Sequence, residues 1–469
     1  MSNPGDEDAT PIVSTAQLAT YLAEGCKPRE RWRIGTEHEK FGFYRSDDAP
    51  PPYAPGTERA GGIHAVLDGF EARGGWGPIA DQGSLIGLKG LAGGEQPGAS
   101  ISLEPGGQFE LSGAPLVDLH ETGREMTRHF AATRAVADPL GIGFAPLGFH
   151  PTATRAQMPM MPKSRYAIMW RYMPLVGTRG ADMMLRTCTV QVNLDYASEA
   201  DMARKMRVSL ALQPVATALF ANSPFYEGRP NGLLSNRAQV WTDVDNARSG
   251  MPALFFEGGF GFERYVEWVL DVPMYFAARD GRLIDVAGAS FRDWMRAGRS
   301  GRSHEALRGI EPTIGDFADH LTTVFTDVRL KHFLEMRGAD AGSPAMMLAQ
   351  SALWVGLLYD DAALAAAEAL VREHRWSDYP RLRLAVPEEG LGAQLTGGVT
   401  ARDLARSMLA IAEDGLAARA AAGIADERPL LAPLHEIVAG GPNQAQHWLA
   451  RYHGDWGGDV RRIFAEAAI

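Results

Sequence analysis

The sequence has little cysteine, no basic excess and no long apolar run, and each shortfall removes a class of function. Of its 469 residues only Cys26 and Cys188 are cysteines, so neither a disulfide-stapled secreted scaffold nor a CxxC zinc site is available. The formal net charge is −11. Sequence-independent binding to nucleic acid needs a basic face, and an anionic membrane surface would repel such a chain. No apolar run reaches the ~18–20 residues needed to cross a bilayer; the nearest, Ala362 to Val371, is interrupted by Glu368. The stretch from Met1 to Pro11 lacks the basic and apolar parts of a signal peptide. The expectation is a cytoplasmic protein without nucleic-acid or membrane partners. The spacings GxxxxGKS/T, GxGxxG, HExxH and GxSxG are also missing, which excludes a P-loop, a Rossmann fingerprint, a zincin site and a nucleophile elbow.

What is present suits a large globular protein. Hydrophobic residues make up 45% and charged residues 22%, enough for a sizeable core. Residues 1–12 are polar and acidic and are expected to be a disordered tail. Residues 13–380 mix short alternating and helical segments and form the main domain. Residues 381–469, rich in Ala, Leu, Arg and Glu with Leu404, Met408 and Ile411 at helical spacing, are expected to be a helical appendage packed on it. Two helices stand out in the body, Asp118 to Ala137 with Asp118 as N-cap and Gly141 beyond its end, and Glu199 to Asn222, which Pro214 should kink or divide. Two Pro/Gly-rich stretches, Ala49 to Gly62 and Gly87 to Gly98, are expected to be loops, either lids or phosphate covers.

Strand parity carries the chemical signal, because residues of equal parity share a face. From Thr187 to Leu194 apolar and polar residues alternate strictly, predicting a half-buried strand with Thr189, Gln191 and Asn193 on its polar face and Cys188 as a core residue. Gln108, Glu110 and Ser112 share a face, with Glu104 in the same parity before Pro105-Gly106-Gly107. In Ile34 to Phe43, Glu37 and Glu39 lie together and His38 opposite. In Leu330 to Arg337, Glu335 and Arg337 oppose an apolar face. A sheet with one face in water would explain any one strand. Five glutamates recurring with almost no lysine favour instead a hard divalent cation such as Mg²⁺ held among carboxylates that would otherwise repel one another. The stretch from Asn222 to Gly250 adds Arg229, Arg237, Arg248 and Trp241, and arginine forks match carboxylates and phosphates.

The blocks RIGTEHEKFGF (Arg33 to Phe43), SISLEPGGQFELSGAP (Ser100 to Pro115), MLRTCTVQVNLDYASEADM (Met184 to Met202), ALFANSPFYEGRPNG (Ala218 to Gly232), EMRGADAG (Glu335 to Gly342) and HGDWGGDV near the end resemble, in matching order, the plant-type branch of the glutamate–cysteine ligases, which also includes many proteobacterial enzymes. The resemblance implies an α+β fold, the curved antiparallel sheet of the glutamine synthetase-like ligases with helices outside. It implies ATP, Mg²⁺ or Mn²⁺, L-glutamate and L-cysteine as ligands, a γ-glutamyl phosphate intermediate, and the first step of glutathione synthesis. On it, Glu37, Glu39, Glu104, Glu110, Glu335 and Gln191 are the metal-site residues, and Arg337 with Glu335 is catalytic. Arg237, Arg248, Gln108, Asn193 and Trp241 are the substrate-binding residues. Feedback by glutathione and a monomer or homodimer are further family expectations. Where plant members place a regulatory cysteine this chain has Ala287 before SFRDW, so a plant-like redox switch is not expected. Two other readings fit the carboxylates, a ligase of the same fold with another amine acceptor and a metal-dependent hydrolase. The second leaves Arg337 without a task.

Overall fold

Residues 8–57 and 59–469 are described by a computed structural model. Among them, nine strands form one sheet: β1 (Ile34–Tyr44), β2 (Trp76–Asp81), β3 (Ser84–Gly90), β4 (Ser100–Leu103), β5 (Phe109–Ser112), β6 (Ile142–Ala145), β7 (Thr189–Leu194), β8 (Val328–Leu330) and β9 (Leu334–Asp340). The order is β8-β9-β7-β1-β5-β4-β3-β2, with β6 pairing β1, and the ladders are antiparallel. The long strand β1 is the axis. Its first half pairs β7 on one side and β5 on the other, and its second half pairs β6.

Three strand expectations need correction. β1, β5 and β7 are buried on both faces, so the polar face of β7 meets a covered cleft and not bulk water. Leu330 to Arg337 is a hairpin, β8 turning into β9 through residues 331–333, where Lys331 N–H donates to Phe333 O at 2.9 Å. The glycines at 87 and 90 belong to β3, paired with β2 and β4, which leaves only the remainder of that stretch as a loop.

Helices back the sheet. Helix α1 (Leu119–Ala137) starts where the Asp118 side chain accepts from Glu121 N–H. A further short turn follows it and ends at Gly141, whose φ of 68° a side-chain-bearing residue seldom adopts. Helix α2 (Gly180–Arg186) leads into β7, and α3 (Glu199–Leu219) follows it. Helix α3 is not divided at Pro214 and runs through it to Leu219, three residues short of the expected end. Helices α4 (Asn236–Val240), α5 (Pro344–Leu358), α6 (Asp378–Glu389) and α7 (Ala401–Ala421) complete the elements needed here. Helix α6 straddles residue 380, and α7 packs on α5 and α3. The core behind the sheet joins side chains from Leu18 to Val438 in one cluster. Of the tail expected over residues 1–12, the first seven residues lie outside the described ones. Residues 8–12 are tied down, with Ile12 N–H donating to Pro312 O (3.0 Å) and Ile314 N–H to Thr10 O (2.9 Å).

Candidate active site

A cleft of about 740 Å³, its mouth included, lies on the polar face of the sheet. Sheet order grades its lining. Arg329 on β8 and Arg337 on β9 stand at one side, Gln191 on β7 comes next, then Glu37 and Glu39 on β1, and finally Glu110 on β5. Glu104, Arg165, Tyr166, Arg237, Trp241 and Phe325 close it from the segments that cover the sheet.

The carboxylate side is crowded. Glu39 stands directly across the ladder from Glu110, and Glu37 across from Ser112; like charges in such a position repel. Hydroxyls support Glu110, with Ser102 donating at 2.8 Å and Ser112 at 3.0 Å. Glu39 accepts from Thr189 N–H at 2.8 Å, and Glu37 from Asn193 Nδ2 at 2.8 Å. Burial, then the charges of Glu104 and Glu110, push the Glu39 carboxyl well above the usual range. Burial raises Glu37 too, with Glu335 and Glu110 adding to it. A cation would relieve both. Among the described residues, no three His, Cys, Asp or Glu side chains stand close enough together to hold a metal ion as they are.

The cationic side is built around Glu335, which is fully buried and does not line the cleft. Its two oxygens accept from Arg329 Nη2 (2.9 and 2.7 Å), Lys331 Nζ (3.1 Å) and Arg337 Nη1. Burial alone would raise this carboxyl, but Arg329, Lys331 and Arg337 together hold it well below the carboxylate range. The expectation of a metal ligand at Glu335 is therefore altered: in this arrangement its oxygens are spent on cations. Gln191 Oε1 likewise accepts from Arg337 Nη1 at 2.9 Å and is not turned to the carboxylates. Arg337 sits in a bulge between Met336 and Ala339, a device that re-aims a side chain off the regular ladder. Arg329 Nη1 is anchored on Thr322 O (2.9 Å) and Val324 O (3.2 Å), and its Nε has no partner among the described residues.

Other sequence-predicted residues divide in the same way. Arg237 and Trp241 reach the cleft from α4 and the residue after it. Arg237 Nη2 donates to Arg337 O at 2.8 Å, while Arg237 Nε and Trp241 Nε1 are buried without a partner among the described residues. Gln108 lines the cleft but its amide is spent on bracing. Oε1 accepts from Gly106 N–H (2.7 Å), and Nε2 donates to Met184 O (3.1 Å) and Thr187 O (3.0 Å). The turn it braces sits so close to α2 that a Cβ on Gly106 would lie 2.2 Å from Leu185 O, so Glu104 is held at the cleft by a tight backbone contact. Asn193 supports Glu37 and does not line the cleft. Arg248 is not a substrate residue. It is fully buried away from the cleft, with Nε on Asp245 (2.6 Å), Nη1 on Thr323 O and Oγ1 (3.2 Å each), Nη2 on Pro273 O, and its guanidinium 3.9 Å from the Tyr275 ring centre. Reading the sequence missed Arg329 and Arg165. A hairpin at residues 331–333 would have revealed Arg329, since it then pairs with Glu335; nothing local marks Arg165.

The model of glutamate–cysteine ligase family 2 matches residues 33–466. The chain belongs to that family. The chloroplastic glutamate–cysteine ligase of Nicotiana tabacum is 46% identical over 471 residues, covering 99% of this chain and 85% of its own length. That of Arabidopsis thaliana is 47% identical over 461 residues, covering 98% and 83%. Membership makes the chain an ATP-dependent ligase. Among solved structures, the glutamate–cysteine ligase of Francisella tularensis in complex with AMP superposes with a TM-score of 0.53 at 12% identity, covering 93% of this chain and 88% of that one. This likeness concerns the fold, and the α+β class expected from the resemblance, an antiparallel sheet with helices against it, is the one observed. The cytoplasmic expectation is overturned. These and further relatives from Brassica juncea and rice bear the name chloroplastic, so the make-up of the first residues was no guide to compartment. The two cysteines are free thiols, Cys188 buried in the core as expected.

Proposed function

We propose that the chain uses ATP to join the γ-carboxylate of L-glutamate to the amine of L-cysteine through γ-glutamyl phosphate, the first step of glutathione synthesis. The observation that carries this reading is the graded cleft, with carboxylates at one side and arginines at the other, in a member of this family. A carboxylate is a poor acyl donor because attack would expel oxide, and phosphorylation supplies a leaving group. The transfer gathers negative oxygens in one place, so it needs positioning and positive charge more than covalent help. Arg337, fixed by Glu335 and Gln191, and Arg329, fixed by Glu335 and two carbonyls, are pre-organised to face those oxygens. Arg237 Nε and Trp241 Nε1, buried donors without partners among the described residues, would take a substrate carboxylate.

The donor set fits a hard divalent cation, because buried, mutually repelling carboxylates gain from one. Glu37, Glu39, Glu104 and Glu110 would hold Mg²⁺ or Mn²⁺; Glu335 joins them only if its cations move. Held there, the ion would supply positive charge to offset the negative oxygens gathered during phosphoryl transfer. Cysteine's ammonium must lose a proton before attack, and a cleft carboxylate accepts it. Glutathione contains the γ-glutamyl-cysteinyl unit of the product, so it would compete for the same space as a feedback inhibitor, whether the enzyme is a monomer or a homodimer.

The test is phosphate release from ATP with Mg²⁺ and L-glutamate, adding L-cysteine and then L-2-aminobutyrate. Release that requires glutamate and rises with cysteine supports the reading. A rise only with another amine would move the acceptor assignment to a related carboxylate–amine ligase. No ATP consumption by folded protein under any pairing would sink it.

A further inference from the structure

A second cavity of about 390 Å³, its mouth included, shares Arg237, Trp241, Phe325 and Arg337 with the cleft. These four side chains form one connected wall. The Arg337 guanidinium lies 5.9 Å from the Phe325 ring centre, the Phe325 and Trp241 rings meet edge to face at 5.8 Å, and the Arg237 guanidinium lies 6.0 Å from the Trp241 ring centre. Regular structure secures this wall weakly. Trp241 follows the last residue of α4, and Phe325 belongs to a two-residue parallel ladder, Ser249–Gly250 against Phe325–Thr326, a pairing slightly less stable per residue than an antiparallel one. A side chain from α6 supplies a further tie. Arg383 lines the second cavity. Its Nε donates to Asp327 Oδ2 at 2.6 Å, and its Nη2 donates to Asp327 Oδ1 at 3.2 Å and to Trp241 O at 3.1 Å. Asp327, the residue before β8, passes the constraint on. Its N–H donates to Gly250 O at 2.9 Å, and its carbonyl accepts from Arg337 N–H at 3.1 Å. The Arg383 and Asp327 side chains are only 16% and 14% exposed, and a charge-assisted, two-pronged contact of this kind fixes geometry as well as charge. One guanidinium thus holds the Trp241 backbone directly and the Arg337 backbone through a single residue.

We propose that Arg383 is a positioning residue for phosphoryl transfer: by holding Asp327 and Trp241 in one fork, it fixes the wall that aims Arg337 into the cleft. The inference rests on the ligase reading and adds to it a residue that does not line the cleft, from the stretch expected to be only a helical appendage. A small displacement of a transition-state donor lowers turnover more than it weakens ground-state binding. Lysine at this position would keep the charge but present one compact ammonium, which cannot span two carboxylate oxygens and a carbonyl as the planar fork does.

The test is steady-state kinetics of the full chain with ATP, Mg²⁺, L-glutamate and L-cysteine, for wild type, Arg383→Met, Arg383→Lys and Arg381→Met. Circular dichroism checks the fold of each. Arg381 lies on the same helix, exposed and paired with Asp378, so its variant alters α6 without touching the wall. Arg383→Met should lower kcat about tenfold or more while KM for ATP moves by less than about twofold. Arg383→Lys should fall between it and wild type, and Arg381→Met should match wild type. Because Arg383 acts through Arg337, adding Arg383→Met to Arg337→Met should lower kcat by a much smaller factor than it does alone. A general loss of packing would cost the same factor in both backgrounds. If Arg383→Met does not fold, Arg383→Lys decides in both backgrounds. The proposal alone is overturned if the wild type turns over and the folded Arg383 variants keep its kcat. It is equally overturned if Arg381→Met loses as much, or if the loss is the same factor with and without Arg337. A folded wild type that consumes no ATP removes the ligase reading, and this proposal with it.

Discussion

Replacing Glu335 by glutamine should unsettle the fold and the chemistry together. The wild-type carboxylate is fully buried and is in contact with three cations, Arg329, Lys331 and Arg337. Glutamine keeps one neutral oxygen and turns an amide NH₂ toward an arginine fork, so the cations are left facing one another with their counter-charge gone. Removing one partner of a buried ion pair costs about 3–5 kcal/mol. The Arg337 and Lys331 side chains retain 11% and 17% exposure, and that access to water places the expected loss near the lower end, ~3 kcal/mol. Urea unfolding followed by circular dichroism reads it directly. The companion variant Arg329→Met removes one of the crowded cations. The double variant Glu335→Gln/Arg329→Met should therefore be more stable than the sum of the single losses predicts, by about 1 kcal/mol or more. Initial rates should fall as well, because Arg337 and Arg329 lose the group that orients them. A Glu335→Gln chain within ~1 kcal/mol of wild type, or strict additivity in the double variant, would refute the idea that this carboxylate organises the cationic side.

Arg337→Met should lower kcat by roughly 10²–10³ with a smaller change in KM for ATP, as for loss of one pre-organised transition-state donor; steady-state kinetics decide, and an unchanged kcat excludes a phosphoryl-facing role. Arg248→Met should do the opposite, costing about 3–5 kcal/mol by leaving Asp245 buried without its partner, while KM for glutamate and ATP in the folded fraction stays at the wild-type value. Glu125 supplies a pH test. Burial pushes its carboxyl up to about 7 from an ordinary 4.5, so the folded state holds a proton that the unfolded chain releases. Its contribution is full below about pH 4.5, is lost as pH rises through about 7, and amounts to roughly 3 kcal/mol. Glu125→Gln keeps an acceptor for Ala114 N–H and should flatten the stability profile across that window; an unchanged profile contradicts the assignment.

The parts of the fold that follow from local periodicity could be read from the sequence. Period-two alternation puts Glu37 with Glu39, and Glu110 with Ser112, on common faces whatever the strands pair with, and the register then aligns Glu39 with Glu110. Asp118 as a cap and Gly141 as a stop are likewise local matters. What escaped depends on turns without turn residues. The reversal after Leu330 runs through Lys331, His332 and Phe333, with no glycine, proline, asparagine or aspartate to mark it, so Arg329 stayed hidden beside the glutamate it contacts. In the same way Pro214 lies inside a helix buried from Val208 to Leu219, where packing on every side outweighs one lost hydrogen bond.

The two arginines of the 222–250 stretch show why the site was less legible than the fold. Arg237 and Arg248 have the same chemistry in the same turn-rich composition, and no local pattern separates them. Their difference comes from partners far away in sequence. Thr323, Pro273 and Tyr275 close around Arg248 together with the adjacent Asp245 and consume its donors. Around the Arg237 guanidinium the fold brings, among the described residues, a single hydrogen-bonded carbonyl, that of Arg337, and leaves Nε without a partner. An arginine becomes structural when its surroundings supply acceptors and functional when they withhold them.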